Sequence, residues 1–62
     1  MKVKFENEVK EWKRRKRVGE ILKELNLNRE EVLVVRGKEL LVESDWVGEE
    51  DEVEIWRIVS GG

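Results

Sequence analysis

Residues 17–26 read Arg-Val-Gly-Glu-Ile-Leu-Lys-Glu-Leu-Asn, and this stretch limits how the rest of the chain can fold. Its apolar residues recur at the spacing that forms one stripe along an α-helix. They are Val18, Ile21, Leu22 and Leu25. The remaining apolar segments have the period or the composition of strands, so nothing but this helix can cover them. The sequence therefore predicts an α+β domain in which one amphipathic helix packs on a sheet.

The residues at the two ends of this helix give unequal signals. No Ser, Thr, Asp or Asn precedes Val18, so the sequence predicts a poorly capped start. At the other end, Asn26 can adopt the left-handed conformation that closes a helix, with Leu27 packing back on the last turn. Asn28 before residues 29–31 is typical of a capped turn. We therefore expect a short turn between the helix and the next strand.

Five further segments are predicted as strands. They are residues 1–6, 9–13, 32–35, 40–42 and 53–59. The run Val32-Leu33-Val34-Val35 is continuously apolar, and we expect it to form a central strand that is covered on both faces. The first and last strands can lie side by side in the centre, with the helix as the crossover between them. The prediction is a mixed sheet of four to five strands.

The three tryptophans are predicted to have different surroundings. Trp46 lies in a predicted loop, residues 44–48, and we expect it to cover the core. Trp12 can pack on the sheet or stay half exposed. Trp56 is out of phase with Val53 and Ile55, so it points away from the face that the helix covers. An exposed Trp near the end of the chain is a natural anchor for a partner.

Length and composition exclude several classes of protein. The chain has 62 residues and contains neither Cys nor His. A chain of this size buries only about 60% of its unfolded surface, so its core is small. The missing residue types exclude a disulfide framework, a zinc-finger site and a Ser-His or Cys-His nucleophile pair. The acidic run at residues 49–52 lacks the spacing of a calcium loop. We therefore predict a carrier or binding module that is not an enzyme and binds no cofactor itself.

The charge is nearly balanced, with 13 Lys and Arg against 15 Asp and Glu. A net charge of −2 speaks against a dedicated nucleic-acid binder. No apolar stretch approaches the ~20 residues of a membrane span, and the N-terminus has no signal-peptide core, so we expect a cytoplasmic protein with no membrane partner. Charged residues make up 45% of the chain, the bias of heat-adapted proteins, which suggests a thermophilic source.

The most concentrated charge is the run Lys13-Arg14-Arg15-Lys16-Arg17. Such a run can contact phosphates or an acidic partner. No aromatic residue alternates with these side chains to stack on bases, since Trp12 only precedes them. We therefore expect a solvated or protein-docking loop, with nucleic-acid binding as the less favoured alternative.

The sequence ends with Ser60-Gly61-Gly62, directly after the last predicted strand. One interpretation is a frayed end, because two glycines pack against nothing. The other is a thin tail that enters a narrow channel, where any Cβ would clash, and whose terminal carboxylate reacts. We predict a domain over residues 1–59 and a flexible Gly-Gly tail over residues 60–62.

Four stretches together resemble the ThiS/MoaD family of ubiquitin-like sulfur carriers, which have the β-grasp fold. They are residues 2–5 (KVKF), 18–25 (VGEILKEL), 32–38 (VLVVRGK) and 51–62 (DEVEIWRIVSGG). The last stretch is the most specific, since it combines an acidic turn, an alternating strand, an aromatic residue and a final Gly-Gly. Two positions depart from the family pattern. Arg17 stands where a small hydroxyl residue is common, and Glu50 stands where Gly often precedes Asp.

The resemblance implies that the chain is the substrate of an ATP-dependent adenylating enzyme. That enzyme would adenylate the terminal carboxylate of Gly62, and sulfur would then replace the adenylate as a thiocarboxylate. The sulfur would pass to thiazole synthase, the large subunit of molybdopterin synthase or a tRNA-thiolating enzyme. Gly61 and Ser60 take the place of the family's tail. Trp56 and Ile58 are assigned to partner binding.

Two alternatives stay open on the sequence. Gly62 can instead be joined to a lysine amine of a target protein, which would make the chain a ubiquitin-like modifier. The two functions share the activated acyl group and differ only in the nucleophile. A plain interaction or RNA-binding domain would use residues 13–17, and its tail would have no role.

Overall fold

The computed structural model describes residues 1–58, which form one α-helix, one 3₁₀ turn and seven strands. The strands are β1 (Lys2–Phe5), β2 (Glu8–Glu11), β3 (Lys16–Arg17), β4 (Val32–Arg36), β5 (Glu39–Leu41), β6 (Trp46–Val47) and β7 (Glu52–Arg57). The helix is α1 (Val18–Glu24), and the 3₁₀ turn is Arg29–Glu31. No helix in this range is long and apolar enough to span a membrane. The predicted boundary between domain and tail at residue 59 lies outside the described residues and stays a prediction.

Five of the strands form a mixed sheet in the order β2-β1-β7-β4-β5. Strands β1 and β7 are parallel neighbours near its centre, with Val3 beside Val53 and Phe5 beside Ile55. Strand β7 also pairs antiparallel with β4. Parallel neighbours need a crossover connection, which here includes α1. This arrangement confirms the predicted α+β, β-grasp fold.

The core lies between α1 and one face of the sheet. The helix contributes Val18, Ile21 and Leu22, each no more than 4% exposed. The rest of the chain contributes Met1, Val3, Val32, Val34, Leu41, Val47, Val53 and Ile55. The helical stripe that the sequence predicts is therefore confirmed, and Leu25 packs against its edge.

The start of α1 is held better than the sequence predicts. The Arg17 N–H donates to Glu20 Oε1 at 3.2 Å, so a carboxylate from the first turn closes the start in place of a hydroxyl cap. At the other end Asn26 has φ of 58°. The Leu27 N–H donates to the Leu22 C=O at 2.8 Å, as in a Schellman motif. The prediction for Asn26 is therefore confirmed.

Strand β4 is covered on one face only, so the prediction of two covered faces is wrong. Val32 and Val34 lie on the helix side and are 5% and 4% exposed, whereas Leu33 between them is 43% exposed. A continuous apolar run indicates a strand inside a sheet, but it does not supply a second covering layer. Within residues 1–58, α1 packs on one side, and the other side stays open.

Two predicted loops contain strands that pair with each other. Lys16 lies opposite Val47, and Arg17 lies opposite Trp46, in the β3–β6 pair. Val47 is fully buried, whereas Trp46 is 42% exposed, so the prediction that Trp46 covers the core is wrong. Neighbouring residues of a strand point to opposite sides, and only one of the two can enter the core. Here the smaller, β-branched Val47 enters it.

Lys16 is the member of the basic run that the structure removes from solvent. It is 3% exposed, and its Nζ lies 3.0 Å from Glu24 Oε2. The same atom lies 5.6 Å from the centre of the Trp12 ring. A buried ammonium group requires such partners. The prediction of a solvated loop at residues 13–17 is therefore wrong at Lys16.

Arg36 ties the segment around β6 to the β4–β5 turn. Its Nη1 donates to Asp51 Oδ2 at 2.9 Å and to the Trp46 C=O at 3.0 Å, and its Nη2 donates to Glu39 Oε1 at 2.9 Å. Asp51 also accepts the Gly48 N–H at 2.8 Å. The Gly48 hydrogen bond, together with Arg36, holds the pKa of Asp51 below its ordinary value against the effect of desolvation. One carboxylate of the acidic run thus has a structural role.

Candidate functional site

The face of the sheet opposite α1 is open, and apolar side chains are spread across it. Val9, Leu33, Trp56 and Ile58 are each at least 43% exposed there. Together with the half-buried Val35, they line a shallow depression of about 970 Å³. We name these five residues the open face. Most of them belong to strands, so the register of the sheet fixes their relative positions.

Strand β7 places Trp56 on the open face through the alternation of a strand. Val53 and Ile55 point towards the helix and are 4% and 3% exposed, whereas Trp56 is 55% exposed. Leu33 is the register partner of Trp56 on β4, so two large apolar side chains lie side by side. The prediction that Trp56 points away from the helix is confirmed.

The rim of the open face carries charges of both signs. In the β1–β7 pair, Lys2 lies beside Glu52 and Lys4 lies beside Glu54. All four side chains border the same depression. Opposite charges on neighbouring strands compensate each other, so this rim has little net charge. The open face is therefore suited to apolar contact, with the rim setting the orientation of a partner.

The end of β7 is held at two points. The Ile58 N–H donates to the Glu31 C=O at 2.8 Å, which ties the strand end to the 3₁₀ turn. Arg57 Nη2 lies 3.2 Å from Glu6 Oε1, and its guanidinium carbon lies 5.3 Å from the centre of the Phe5 ring. We name Arg57 and Ile58 the tail root, because they are the described residues nearest to the predicted tail. Its position beside the open face is thus fixed by contacts to both neighbouring segments.

The structure brings the two predicted partner-binding residues together. Trp56 and Ile58 are both exposed and both belong to the open face, one on each side of Arg57 in the sequence. Their contact with a partner stays a prediction. The predicted reaction site, Gly62, and the predicted tail residues Gly61 and Ser60 lie outside the described residues.

Sequence reasoning missed three members of the open face. Leu33 and Val35 belong to the continuous apolar run of β4, which hides the alternation between its two faces. Val9 lies between charged residues and carries only the weak signal of a half-buried strand. The prediction of only one helix already indicates that one face of the sheet stays uncovered, and this could have identified all three residues. A sheet with one covering helix must expose alternate side chains of every strand, including the edge strand β2 that carries Val9.

The topology, the open face and the tail root together define a domain of the ubiquitin-like β-grasp class. No model of a known protein family matches the chain. Over 43 residues, 69% of the chain, it is 54% identical to the sulfur carrier protein TtuB of Thermus thermophilus. The match covers 66% of that protein, slightly less than two thirds of its length. This similarity agrees with the resemblance of the sequence to the ThiS/MoaD family of ubiquitin-like sulfur carriers.

Proposed function

We propose that the chain is a sulfur carrier whose reacting group is the terminal carboxylate of Gly62. In the proposed cycle, an activating enzyme uses ATP to adenylate this carboxylate and releases pyrophosphate. Hydrosulfide (HS⁻) then attacks the acyl carbon and displaces AMP, and loss of the thioacid proton to solvent leaves a thiocarboxylate. An enzyme of thiamine or molybdopterin synthesis, or of tRNA thiolation, accepts the sulfur and releases the carrier.

The chemistry explains why the chain needs two kinds of partner. A carboxylate is a poor acylating group, and the adenylate turns it into a mixed anhydride with a good leaving group. Both steps take place in the active sites of other enzymes, so the carrier supplies a substrate group and a docking surface. Gly61 and Gly62 suit a tail that enters narrow channels, because neither has a side chain.

The observation that supports this proposal is that the tail root shares Ile58 with the open face. Strand β7 contains Trp56 and is followed directly by Ile58, whose N–H donates a hydrogen bond to the Glu31 C=O. A partner that covers Trp56 and Leu33 therefore lies where the chain continues towards Gly62. The similarity to a sulfur carrier supports the same assignment.

Intact-mass measurement of the protein isolated from its native host tests the proposal. While the pathway is active, we expect a population in which one oxygen of the C-terminus is exchanged for sulfur. A variant that lacks Gly62 is the control and should show no exchange. An unmodified mass under all conditions would refute the carrier function. Lysine-linked conjugates that disappear with Gly62 would instead identify a protein modifier.

Replacement of Gly61 tests the requirement for a thin tail. Gly61→Val should abolish ATP–pyrophosphate exchange by the purified activating enzyme, because the added side chain would clash with the walls of a narrow channel. Lys10→Val is the matched control, since it adds the same side chain at an exposed strand position. Both variants should keep the circular dichroism spectrum of the parent protein. Normal exchange with Gly61→Val would contradict the argument.

A further inference from the structure

At the end of the molecule away from the tail root, two arginines stack on one exposed tryptophan. The guanidinium carbons of Arg15 and Arg17 lie 4.5 Å and 4.7 Å from the centre of the Trp46 ring. The pairing of β3 with β6 sets Arg17 opposite Trp46 and thereby fixes this contact. A guanidinium that stacks through its flat face keeps its in-plane N–H donors for a ligand.

Further positive charge lies next to this stack. Lys13 and Arg14 are exposed and directly precede Arg15. Within residues 1–58, no carboxylate lies within ion-pair distance of Lys13, Arg14, Arg15 or Arg17. We name these four cations and Trp46 the basic pole. Its cations are therefore available to an external anion.

The basic pole lies near the start of β7, whereas the tail root lies at its end. The Lys2 N–H donates to the Asp51 C=O at 3.0 Å, and the Trp12 N–H donates to the Met1 C=O at 3.1 Å. These bonds place the segment that leads into the basic pole beside the residue that precedes β7. Strand β7 has six residues, so its two ends are about 17 Å apart. No residue of the basic pole lines the depression on the open face, so a ligand there need not cover Trp56 or Ile58.

We propose that the basic pole binds a short, carboxylate-rich segment of a partner protein. The paired N–H donors of a guanidinium match the two oxygens of a carboxylate. Stacking on Trp46 orders Arg15 and Arg17 before the partner arrives, which reduces the entropy lost on binding. The surface is separate from the tail, so this proposal does not depend on the sulfur-carrier function.

A protein segment fits this surface better than a nucleic acid does. Two guanidiniums already lie over the Trp46 ring, in the position where a nucleic acid would stack its bases. The neighbouring surface around Met1 is lined by Glu11, Glu49 and Glu50. A long polyanion would meet repulsion there, and the whole chain has a net charge of −2. A short acidic segment can bind the cations without reaching these carboxylates.

An NMR titration of the ¹⁵N-labelled protein tests the proposal. One titration uses a short synthetic peptide of alternating Glu and Asp, and a parallel one uses a single-stranded RNA with the same number of charges. We expect the peptide to shift the amides of residues 13–17 and the indole N–H of Trp46. The amides of Trp56 and Ile58 should not move.

Two double variants separate a specific surface from bulk charge. Arg15→Gln with Arg17→Gln should weaken peptide binding about tenfold or more, since hydrogen bonds between charged groups are lost. Lys10→Gln with Lys23→Gln removes the same charge from exposed positions elsewhere and should change the affinity less than about twofold. Trp46→Leu keeps every charge but releases the stacked arginines, so it should weaken binding about threefold.

Four results would count against the proposal. Equal weakening by the two double variants would show that only net charge matters. Shifts centred on Trp56 and Leu33 would place the peptide on the open face instead. Tighter binding of the RNA than of the peptide through residues 13–17 would identify a nucleic-acid surface. Peptide binding unaffected by Trp46→Leu would refute the ordering of Arg15 and Arg17 by the ring.

Discussion

Trp56 combines a large side chain, high exposure and a position directly before the tail root. Trp56 is 55% exposed and is the register partner of Leu33, which is 43% exposed. Aromatic residues with apolar neighbours carry much of the binding energy of protein interfaces. The side chain contributes little to the core, so its removal should weaken binding to a partner without unfolding the domain.

We expect Trp56→Ala to raise the KM of the activating enzyme for the carrier about tenfold or more, because a hot-spot aromatic contributes about 2 kcal/mol. The kcat should change little, since the proposed reacting carboxylate, that of Gly62, is unaltered. Steady-state kinetics with the purified enzyme measure both values. Leu40→Ala is the matched control, because Leu40 is similarly exposed, at 59%, but does not border the open face. Equal effects of the two variants would contradict docking through Trp56.

Asp51 makes the stability of the domain depend on pH. Its pKa is lowered in the folded state by the Gly48 N–H and Arg36, so its ionised form stabilises the fold. This contribution is complete above the ordinary aspartate pKa of about 3.9 and is lost as the pH falls through the lower, folded value. Asp51→Asn should therefore lower the free energy of unfolding at neutral pH, and the difference from the parent should shrink in acid.

Urea unfolding of the parent and Asp51→Asn, at several pH values from neutral to strongly acidic, measures this difference. Glu50→Gln is the control, because Glu50 is exposed and makes no ion pair with the residues that the structure describes. It should unfold like the parent at neutral pH. A difference between parent and Asp51→Asn that stays constant into strong acid would contradict the role of the carboxylate.

At the scale of the element, the left-handed residue at the end of α1 stops the helix. Asn26 has φ of 58°, and the Leu27 N–H returns to the Leu22 C=O. A β-branched side chain is strained in this conformation, whereas Gly adopts it freely. We expect Asn26→Val to lower the free energy of unfolding by about 1–2 kcal/mol and Asn26→Gly to change it much less. Urea unfolding measures the free energy of unfolding of both variants, provided that their m-values equal that of the parent. Equal losses of this free energy in the two variants would contradict the strain argument.

The elements that the sequence predicts well are those with their own periodicity. The stripe of Val18, Ile21 and Leu22 and the alternation of Val53 and Ile55 specify their buried faces without help from the rest of the chain. The β3–β6 pair joins residues about 30 positions apart and has only two residues in each strand. No local pattern can predict such a pair. Without this contact, the sequence wrongly predicts that Trp46 covers the core.

At the scale of the whole molecule, ion pairs connect segments that are distant in sequence. Arg29 pairs with Glu43 at 2.6 Å and Arg57 pairs with Glu6 at 3.2 Å, in addition to the network around Arg36. Charged residues form 45% of the chain. Networks of this kind contribute more at high temperature, where the cost of desolvating charges falls. The composition and these contacts together favour a heat-adapted domain.

We therefore expect a melting temperature above the range of about 45–65 °C in which mesophilic domains cluster. Differential scanning calorimetry at low salt measures it. A repeat in about 1 M salt, where the Debye length is only about 3 Å, should lower the melting temperature by screening the exposed pairs. A melting temperature within the mesophilic range would contradict the thermophilic assignment.

The candidate site could be predicted only in part. The end of the chain leaves a local pattern in the sequence, whereas the open face does not. The position of Trp56 follows from the phase of one strand, and the Gly61-Gly62 ending is visible directly. The open face requires knowledge of which strands are neighbours, since Val9, Leu33 and Trp56 come from three separate segments. The basic pole likewise depends on a tryptophan that lies about 30 residues after its arginines.

The hydrogen bond from the Ile58 N–H to the Glu31 C=O also fixes a point on the domain from which the reach of Gly62 can be calculated. Gly62 is the fourth residue after Ile58, and four residues span at most about 14 Å in any conformation. An enzyme that docks on the open face and reacts with Gly62 must hold its reactive centre within that radius. With the proposed carrier function, the chain would thereby select its partners by the depth of their active sites as well as by their surfaces.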